Sequence, residues 1–253
     1  MTYGVLGAGA IGAAIVTGLC DGVDDPPNVL LSPRNAEIAA GLAARFASVD
    51  VATDNQAVVD GAEVVIVCVR PPLAQPVLAA LRFPADCVVI SAMAGVSVDA
   101  LRELVAPAGD VARAIPLPSV ARRACVTPVH PPTSAAKALF DRLGETVAIA
   151  DAEAFEAMSA SSATIAAHFA YLDAIAGWPT SQGVPAPDAT RYVASMFAGL
   201  AETTRRADGF EQLAAEHATP GGLNEQFRGW LEQRGTFDDV RAGLQRVLDR
   251  LTS

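Results

Sequence analysis

Lysine is nearly missing from this chain: Lys137 stands alone among 253 residues, beside 17 arginines. Residues 151–253 contain none, so the second half offers no lysine to serve an alcohol oxidation. Positive charge is scarce altogether. The net charge of −10 and an isoelectric point near 4.7 repel phosphate backbones and anionic lipid surfaces, which sets nucleic acid and membranes aside as partners. No apolar run reaches the ~20 residues that a membrane span requires, and Met1 to Leu6 shows no basic leader followed by a long apolar segment. A cytoplasmic protein is expected. Cys20, Cys68, Cys87 and Cys125 are far apart and form no C-x-x-C pair, so they are expected as reduced thiols within apolar segments. His130, His168 and His217 have no second His or Cys at ligand spacing, and no metal site is expected. Low-complexity tracts and internal repeats are missing too.

What is present begins at once. The apolar run Tyr3-Gly4-Val5-Leu6 leads into Gly7-Ala8-Gly9-Ala10-Ile11-Gly12 and then into helix-like Ala13-Ala14-Ile15-Val16. This is the order strand, glycine turn, helix that a dinucleotide pyrophosphate needs. Gly7 permits the tight turn, Gly9 lets phosphates approach the backbone, and Gly12 lets helix and strand lie close together. The free N–H groups at the helix start then face the anion.

A second short strand, Asn28-Val29-Leu30-Leu31, ends in Ser32-Pro33-Arg34-Asn35. NAD-specific sites place a carboxylate about here, and none is present. Ser32 and Asn35 offer hydrogen bonds, and Arg34 offers a planar, permanently charged fork suited to a 2′-phosphate. The pattern therefore favours NADP. Against this stands the plainer reading of Arg34 as a solvated residue at a helix start, with Asn35 as its cap.

With 51% hydrophobic residues, the length allows two domains, expected at 1–150 and 151–253. In the first, strands and helices alternate. Further strands are expected at Val64 to Val69, Cys87 to Ser91, Val111 to Ile115, Cys125 to Val129 and Thr146 to Ile149, with helices near 35–46, 97–106 and 132–142. The unbroken run from Val64 implies burial on both faces, and Asp54-Asn55 resembles the cap of a short helix. From Asp151 onward strand signals fade, and helices are expected over 152–178, 186–217, 221–234 and 236–252. Phe155, Met158, Ile165, Phe169 and Leu172 recur at helical spacing and are expected to share one apolar face.

Taken in order, the motifs resemble those of the pyrroline-5-carboxylate reductase family over nearly the whole chain. The residues that carry the likeness are Gly7 to Gly12; Ser32 to Asn35; Asn55; Val67-Cys68-Val69-Arg70-Pro71; and Ser91-Ala92-Met93-Ala94-Gly95-Val96-Ser97. Ala112-Arg113-Ala114-Ile115-Pro116, Gly183-Val184-Pro185, Thr219-Pro220-Gly221-Gly222, and Leu231-Glu232 with Gly235 complete the set. The resemblance implies an α/β fold: an N-terminal doubly wound sheet of Rossmann type that binds NADP, and a C-terminal all-α dimerisation domain. It further implies a homodimer through the C-terminal helices and a small imine substrate held between the domains and reduced by hydride. By position, the implied cofactor contacts are Gly7, Gly9, Ala10, Ile11, Gly12, Ser32, Arg34, Asn35, Asn55, Val69, Arg70, Pro71, Ala94 and Gly95.

Departures from the family gather on the substrate side. Its Ser-Gly-Ser-Gly-Pro-Ala-Tyr helix entry corresponds to Ser161-Ser162-Ala163-Thr164-Ile165-Ala166-Ala167, and its Pro-Gly-Gly-Thr-Thr to Pro220-Gly221-Gly222-Leu223-Asn224. Its Met-Pro-Asn becomes Ile115-Pro116-Leu117, and its Lys-Pro becomes Arg70-Pro71. Reduction of a C=N bond requires a donor toward nitrogen. Asn224 by its amide, Thr164 or Ser162 by a hydroxyl, and His168 as general acid are the candidates. Each has a structural alternative: Asn224, Thr164 and Ser162 as caps, His168 as a packed ring. Two rivals stay open at this point, a non-catalytic NADP-binding sensor or scaffold and an F420-dependent NADP reductase-like enzyme.

Overall fold

Short β-branched runs separated by helices build the first half of the chain. A computed structural model describes residues 1–252 and divides the chain into two compact units, Met1–Ser159 with the chain end from Arg250, and Ala160–Asp249. The first unit runs β1 (Thr2–Leu6), α1 (Ala10–Cys20), β2 (Asn28–Leu31), α2 (Ala36–Arg45), β3 (Val49–Val51), α3 (Asn55–Asp60), β4 (Val64–Val67), α4 (Ala74–Leu78), β5 (Val88–Ser91) and α5 (Val98–Leu104). It continues with β6 (Asp110–Ala114), β7 (Cys125–His130), α6 (Ser134–Asp141), β8 (Gly144–Ala148) and α7 (Ala152–Ser161).

The eight strands form one sheet in the order β3-β2-β1-β4-β5-β6-β7-β8, parallel throughout except at the β6–β7 pair. Every residue of β4 is buried, because helices cover both faces of the sheet and two apolar clusters, one on each side, fill the layers between. The order reverses at β1, since β2 lies on one side of it and β4 on the other. Ligands of open α/β sheets settle in the crevice at such a reversal, outside the carboxyl ends of the strands.

Side-chain caps start several of the helices, among them α7, where Asp151 accepts the Ala154 N–H at 2.8 Å. Asp54 accepts from the Ala57 N–H at 2.8 Å, Ser97 from that of Ala100 at 3.2 Å, and Thr133 from that of Ala136 at 3.3 Å. Two boundaries differ from the sequence pattern in an instructive way. β3 has only three residues and gives no periodic signal of its own; pairing with β2 makes it a strand. β4 stops at Val67 rather than Val69, and residues 68–70 turn out of the sheet.

An element that composition conceals is an ion pair. Arg113 on β6 is only 3% exposed and binds Glu156 of α7 through both terminal nitrogens, with its guanidinium carbon 4.8 Å from the Phe155 ring centroid. His130, opposite Arg113 on β7, joins its Nδ1 to the Ile149 carbonyl at 3.0 Å, just before α7 begins. These contacts seat α7 against the sheet.

The second unit is helical: α8 (Thr164–Ser181), α9 (Ala186–Gly199), α10 (Ala201–Arg205), α11 (Phe210–Glu216), α12 (Leu223–Gln233) and most of α13 (Thr236–Thr252). Two long helices expected from spacing are broken. The stretch 152–178 divides into α7 and α8 at Ser162-Ala163, where the Thr164 hydroxyl donates to the Ser161 carbonyl at 2.8 Å and competes with the helical ladder. That break also undoes the single apolar face: Phe155 is 1% exposed, whereas Phe169 is 64% exposed. The stretch 186–217 divides into α9, α10 and α11, with turns after Gly199 and at Asp208-Gly209. Among its described hydrophobic residues only Ala160, Ala189 and Val193 are buried, so this unit has almost no core of its own.

Candidate functional site

The glycine turn connects β1 to α1 and sets the site. Gly7 has φ +104°, and a Cβ there would lie 2.8 Å from the Cys68 carbonyl oxygen, so neither conformation nor space admits a side chain. At Gly12 a Cβ would stand 2.4 Å from the Gly7 carbonyl oxygen. Gly9 differs: a Cβ would meet nothing within 4 Å, which leaves open space where a ligand would approach the backbone. Gly9 is also the N-cap of α1, and among the described residues no side chain caps that helix. Its first-turn amides therefore remain available to an anion.

Around this turn lies a cavity of about 560 Å³. The glycine loop contributes Gly7, Gly9, Ala10 and Ile11 to its wall; the end of β2 contributes Arg34 and Asn35. The segment after β4 adds Val69, Arg70 and Pro71, and the turn after β5 adds Ala94. Ten of the residues singled out from sequence thus meet in one place. The wall also holds Cys68, Ala92 and Met93, which belong to the motifs but not to the expected contacts, and Leu73, which belongs to neither. Cys68 was legible in principle, since it stands between Val67 and Val69 at the point where the strand ends. Burial pushes its thiol up to about 12, which keeps it protonated and unreactive at neutral pH.

Four residues of the expected set lie elsewhere. Gly12 is buried inside α1 against the glycine turn. Ser32 is 1% exposed and its hydroxyl accepts the Gly7 N–H at 2.9 Å, so it braces the turn from behind. Asn55 is the first residue of α3, where Asp54 does the capping, and Gly95 sits at φ +69° outside the cavity wall. Asn35 adopts φ 62° and makes no side-chain cap; its amide reaches the Ala8 carbonyl at 3.4 Å, tying the β2 loop to the glycine turn.

On the helical unit the three catalytic candidates are not brought together in one cavity. Thr164 and His168 lie one turn apart on α8 and both are exposed; the Thr164 hydroxyl is engaged with Ser161, and the His168 ring lies 6.0 Å from that of Phe197. Asn224, in the first turn of α12, lines a separate apolar cavity of about 600 Å³ with Tyr171, Phe197, Leu213, His217 and Phe227. Its amide nitrogen donates to the His217 carbonyl at 3.0 Å. The adjoining turn is held by Glu225, whose carboxylate accepts the Gly221 N–H at 2.7 Å. Among the described residues no group of His, Cys, Asp and Glu is placed to hold a metal ion, and no helix is long and apolar enough to cross a membrane.

Two family models match parts of the chain. Residues 2–95 match the family described as NADP oxidoreductase coenzyme F420-dependent, and residues 151–253 match pyrroline-5-carboxylate reductase dimerisation. Pyrroline-5-carboxylate reductase of Corynebacterium melassecola is 28% identical over 265 residues, covering 98% of this chain and 97% of that protein. Among solved structures, 1-pyrroline-5-carboxylate reductase of Streptococcus pyogenes superposes with a TM-score of 0.84 at 23% identity, over 99% of this chain and 98% of the other. The pyrroline carboxylate reductase of Plasmodium falciparum, solved with NADP bound, gives 0.81 at 16% identity, over 99% and 97%.

Proposed function

We propose that this chain is a pyrroline-5-carboxylate reductase family member, as the match of residues 151–253 and the 28% identity over nearly the whole chain support, and that it reduces the C=N bond of a cyclic imine such as 1-pyrroline-5-carboxylate with NADPH. The observation that carries this reading is the glycine-turn cavity, with open backbone at Gly9, uncapped amides at the start of α1, and Arg34 on its wall. That cradle fits a pyrophosphate, and a guanidinium fits the further phosphate that separates NADP from NAD. When bound, the nicotinamide supplies the hydride.

All other work falls to the chain. Gly9, Ala10 and Ile11 bind the pyrophosphate through backbone amides, Gly7, whose own N–H is spent on Ser32, makes the turn that presents them, and Arg34 with Asn35 hold the adenosine end. Val69, Pro71 and Ala94 are the apolar wall that orients the cofactor and keeps water from it. As carbon gains hydride the nitrogen must carry a proton, and an iminium substrate arrives with one. His168 is the proposed acid for a substrate that does not. The Asn224 amide is proposed to hold the nitrogen by a hydrogen bond, since it releases no proton at neutral pH, and the Thr164 hydroxyl, which donates to the Ser161 carbonyl, to accept from an iminium N–H. A homodimer through the C-terminal helices is supported by the exposed Trp178, Tyr192 and Phe210 of a unit with so little core.

The test is NADPH oxidation with a panel of cyclic imines, and the reverse reaction with cyclic amines and NADP+. Turnover of any member supports the reading. Tight NADPH binding with no turnover across the panel replaces it with a non-catalytic NADP-binding protein, and NADPH oxidation only when a deazaflavin is added replaces it with an F420-linked enzyme.

A further inference from the structure

We infer that the 2′-phosphate of the cofactor is held between two guanidinium groups, Arg34 and Arg70, and that Ser32 serves the fold rather than the phosphate. This rests on the reading of the ligand as NADP. The sheet order supplies the geometry. β2 and β4 are the two parallel neighbours of β1, so the loops that follow them leave the sheet at the same end and flank the glycine turn on opposite sides. Adjacent strands are about 4.8 Å apart, which puts the roots of the two loops about 10 Å from each other. Arg34 lies on the first loop and Arg70 on the second, both are exposed, and both line the same cavity. Neither is in an ion pair among the described residues.

The hydroxyl expected to share this task is buried and off the cavity wall. Ser32 is 1% exposed and its oxygen accepts the Gly7 N–H. Asn35 has turned its amide toward Ala8. That leaves one cation on the β2 side for a group carrying about two negative charges at neutral pH, in a chain whose net charge of −10 gives it no long-range help. Arg70 supplies the second. It is extended at φ −66° and ψ 139° and followed by Pro71 and Pro72, whose rings fix the backbone that carries it. An arginine can take two phosphate oxygens at once and needs no proton balance to stay charged.

The experiment is equilibrium binding of NADPH and of NADH to the full-length protein, read by calorimetry or by quenching of protein fluorescence, for the parent chain and for Arg34→Ala, Arg70→Ala, Arg70→Lys and Ser32→Ala. Circular dichroism checks that each variant is folded. Both arginine-to-alanine variants are expected to weaken NADPH about 10-fold or more, as befits loss of a charge-assisted pair, while NADH changes about 2-fold or less. The pair combined should bring the preference for NADPH close to nil. Arg70→Lys should recover part of the loss by restoring the charge without the fork. Ser32→Ala should leave the NADPH-to-NADH ratio unchanged. Equal weakening of both nucleotides by Arg70→Ala would assign that side chain to the adenine and overturn the inference, as would no effect on either. A ratio that falls with Ser32→Ala would return the phosphate to Ser32. If the parent chain shows no preference for NADPH, the cofactor reading itself fails, which is a distinct result.

Discussion

Removing one member of the Arg113–Glu156 pair should do more harm than removing both. The arginine is 3% exposed and the glutamate 12%, so each has given up nearly all its water in exchange for the other. The exchange is incomplete, because the Arg113 Nε is buried without a hydrogen-bond partner. Glu156→Ala would leave a nearly buried guanidinium without its counter-ion, against the face of Phe155 at 4.8 Å. Breaking a buried pair in this way costs about 3–5 kcal/mol, whereas replacing both partners by apolar residues of similar volume is often neutral or stabilising. For a unit of this size each kcal/mol moves the midpoint by about 2–4 °C. Glu156→Ala is therefore expected to lower Tm by roughly 6–20 °C, and Arg113→Met with Glu156→Leu together to stay within about 1 kcal/mol of the parent. Thermal and urea unfolding followed by far-UV circular dichroism measure both, and the full double-mutant cycle gives the coupling. A single variant within about 1 kcal/mol of the parent would mean that water reaches the pair. A double variant as damaged as the single would mean that packing, not charge, holds α7 in place.

Three other outcomes are expected. Gly12→Ala would place a methyl 2.4 Å from the Gly7 carbonyl oxygen, so the turn must shift; a stability loss of about 1–3 kcal/mol should accompany equal loss of NADPH and NADH affinity, and unchanged titrations would refute the close approach. Burial holds the Cys68 thiol at about 12 and Cys87 at about 11, so iodoacetamide at pH 7.5 should leave both intact by mass spectrometry until the protein is unfolded. The same burial sets a pH dependence: unfolded thiols ionise from their ordinary value of 9.0 upward while the folded ones stay neutral, so stability is fully present below that value and is lost as pH climbs toward 11 and 12. A urea midpoint that rises between pH 8.5 and 10.5 would contradict this sign. Finally, the helical unit exposes Trp178, Tyr192 and Phe210 by 69–71%, so its unfolding midpoint should climb with protein concentration if a second copy covers them; a midpoint constant over about a hundredfold range of concentration would refute the dimer.

The cofactor half was the more legible because its signals are local. A glycine that must adopt φ +104°, or that must let a carbonyl within 2.4 Å of a would-be Cβ, leaves its mark on the residue itself. The strand runs around Val64 and Val88 are written in β-branched side chains, and the caps at Asp54, Ser97 and Thr133 in single oxygens. The helical half was less legible: alanine-rich spacing says helix without saying where it breaks, as it does at Ser162-Ala163 and at Asp208-Gly209. The substrate side is least legible of all, because Thr164, His168 and Asn224 carry groups that serve caps and turns as readily as chemistry, and two of them are spent on backbone carbonyls.

What the sequence alone determined, then, is the alternation of strands and helices in the first half, the helical character of the second, the glycine turn, and the lack of a carboxylate at the end of β2, for these depend on residues next to one another. Only the tertiary structure decided which of the expected groups line the cavity: it withdrew Ser32 behind the turn and left Asn55 and Gly95 off the wall, and it buried Arg113 against Glu156, 43 positions away. Partners so distant in the chain meet because strand order is chosen by burial of the whole sheet, and no single segment encodes it.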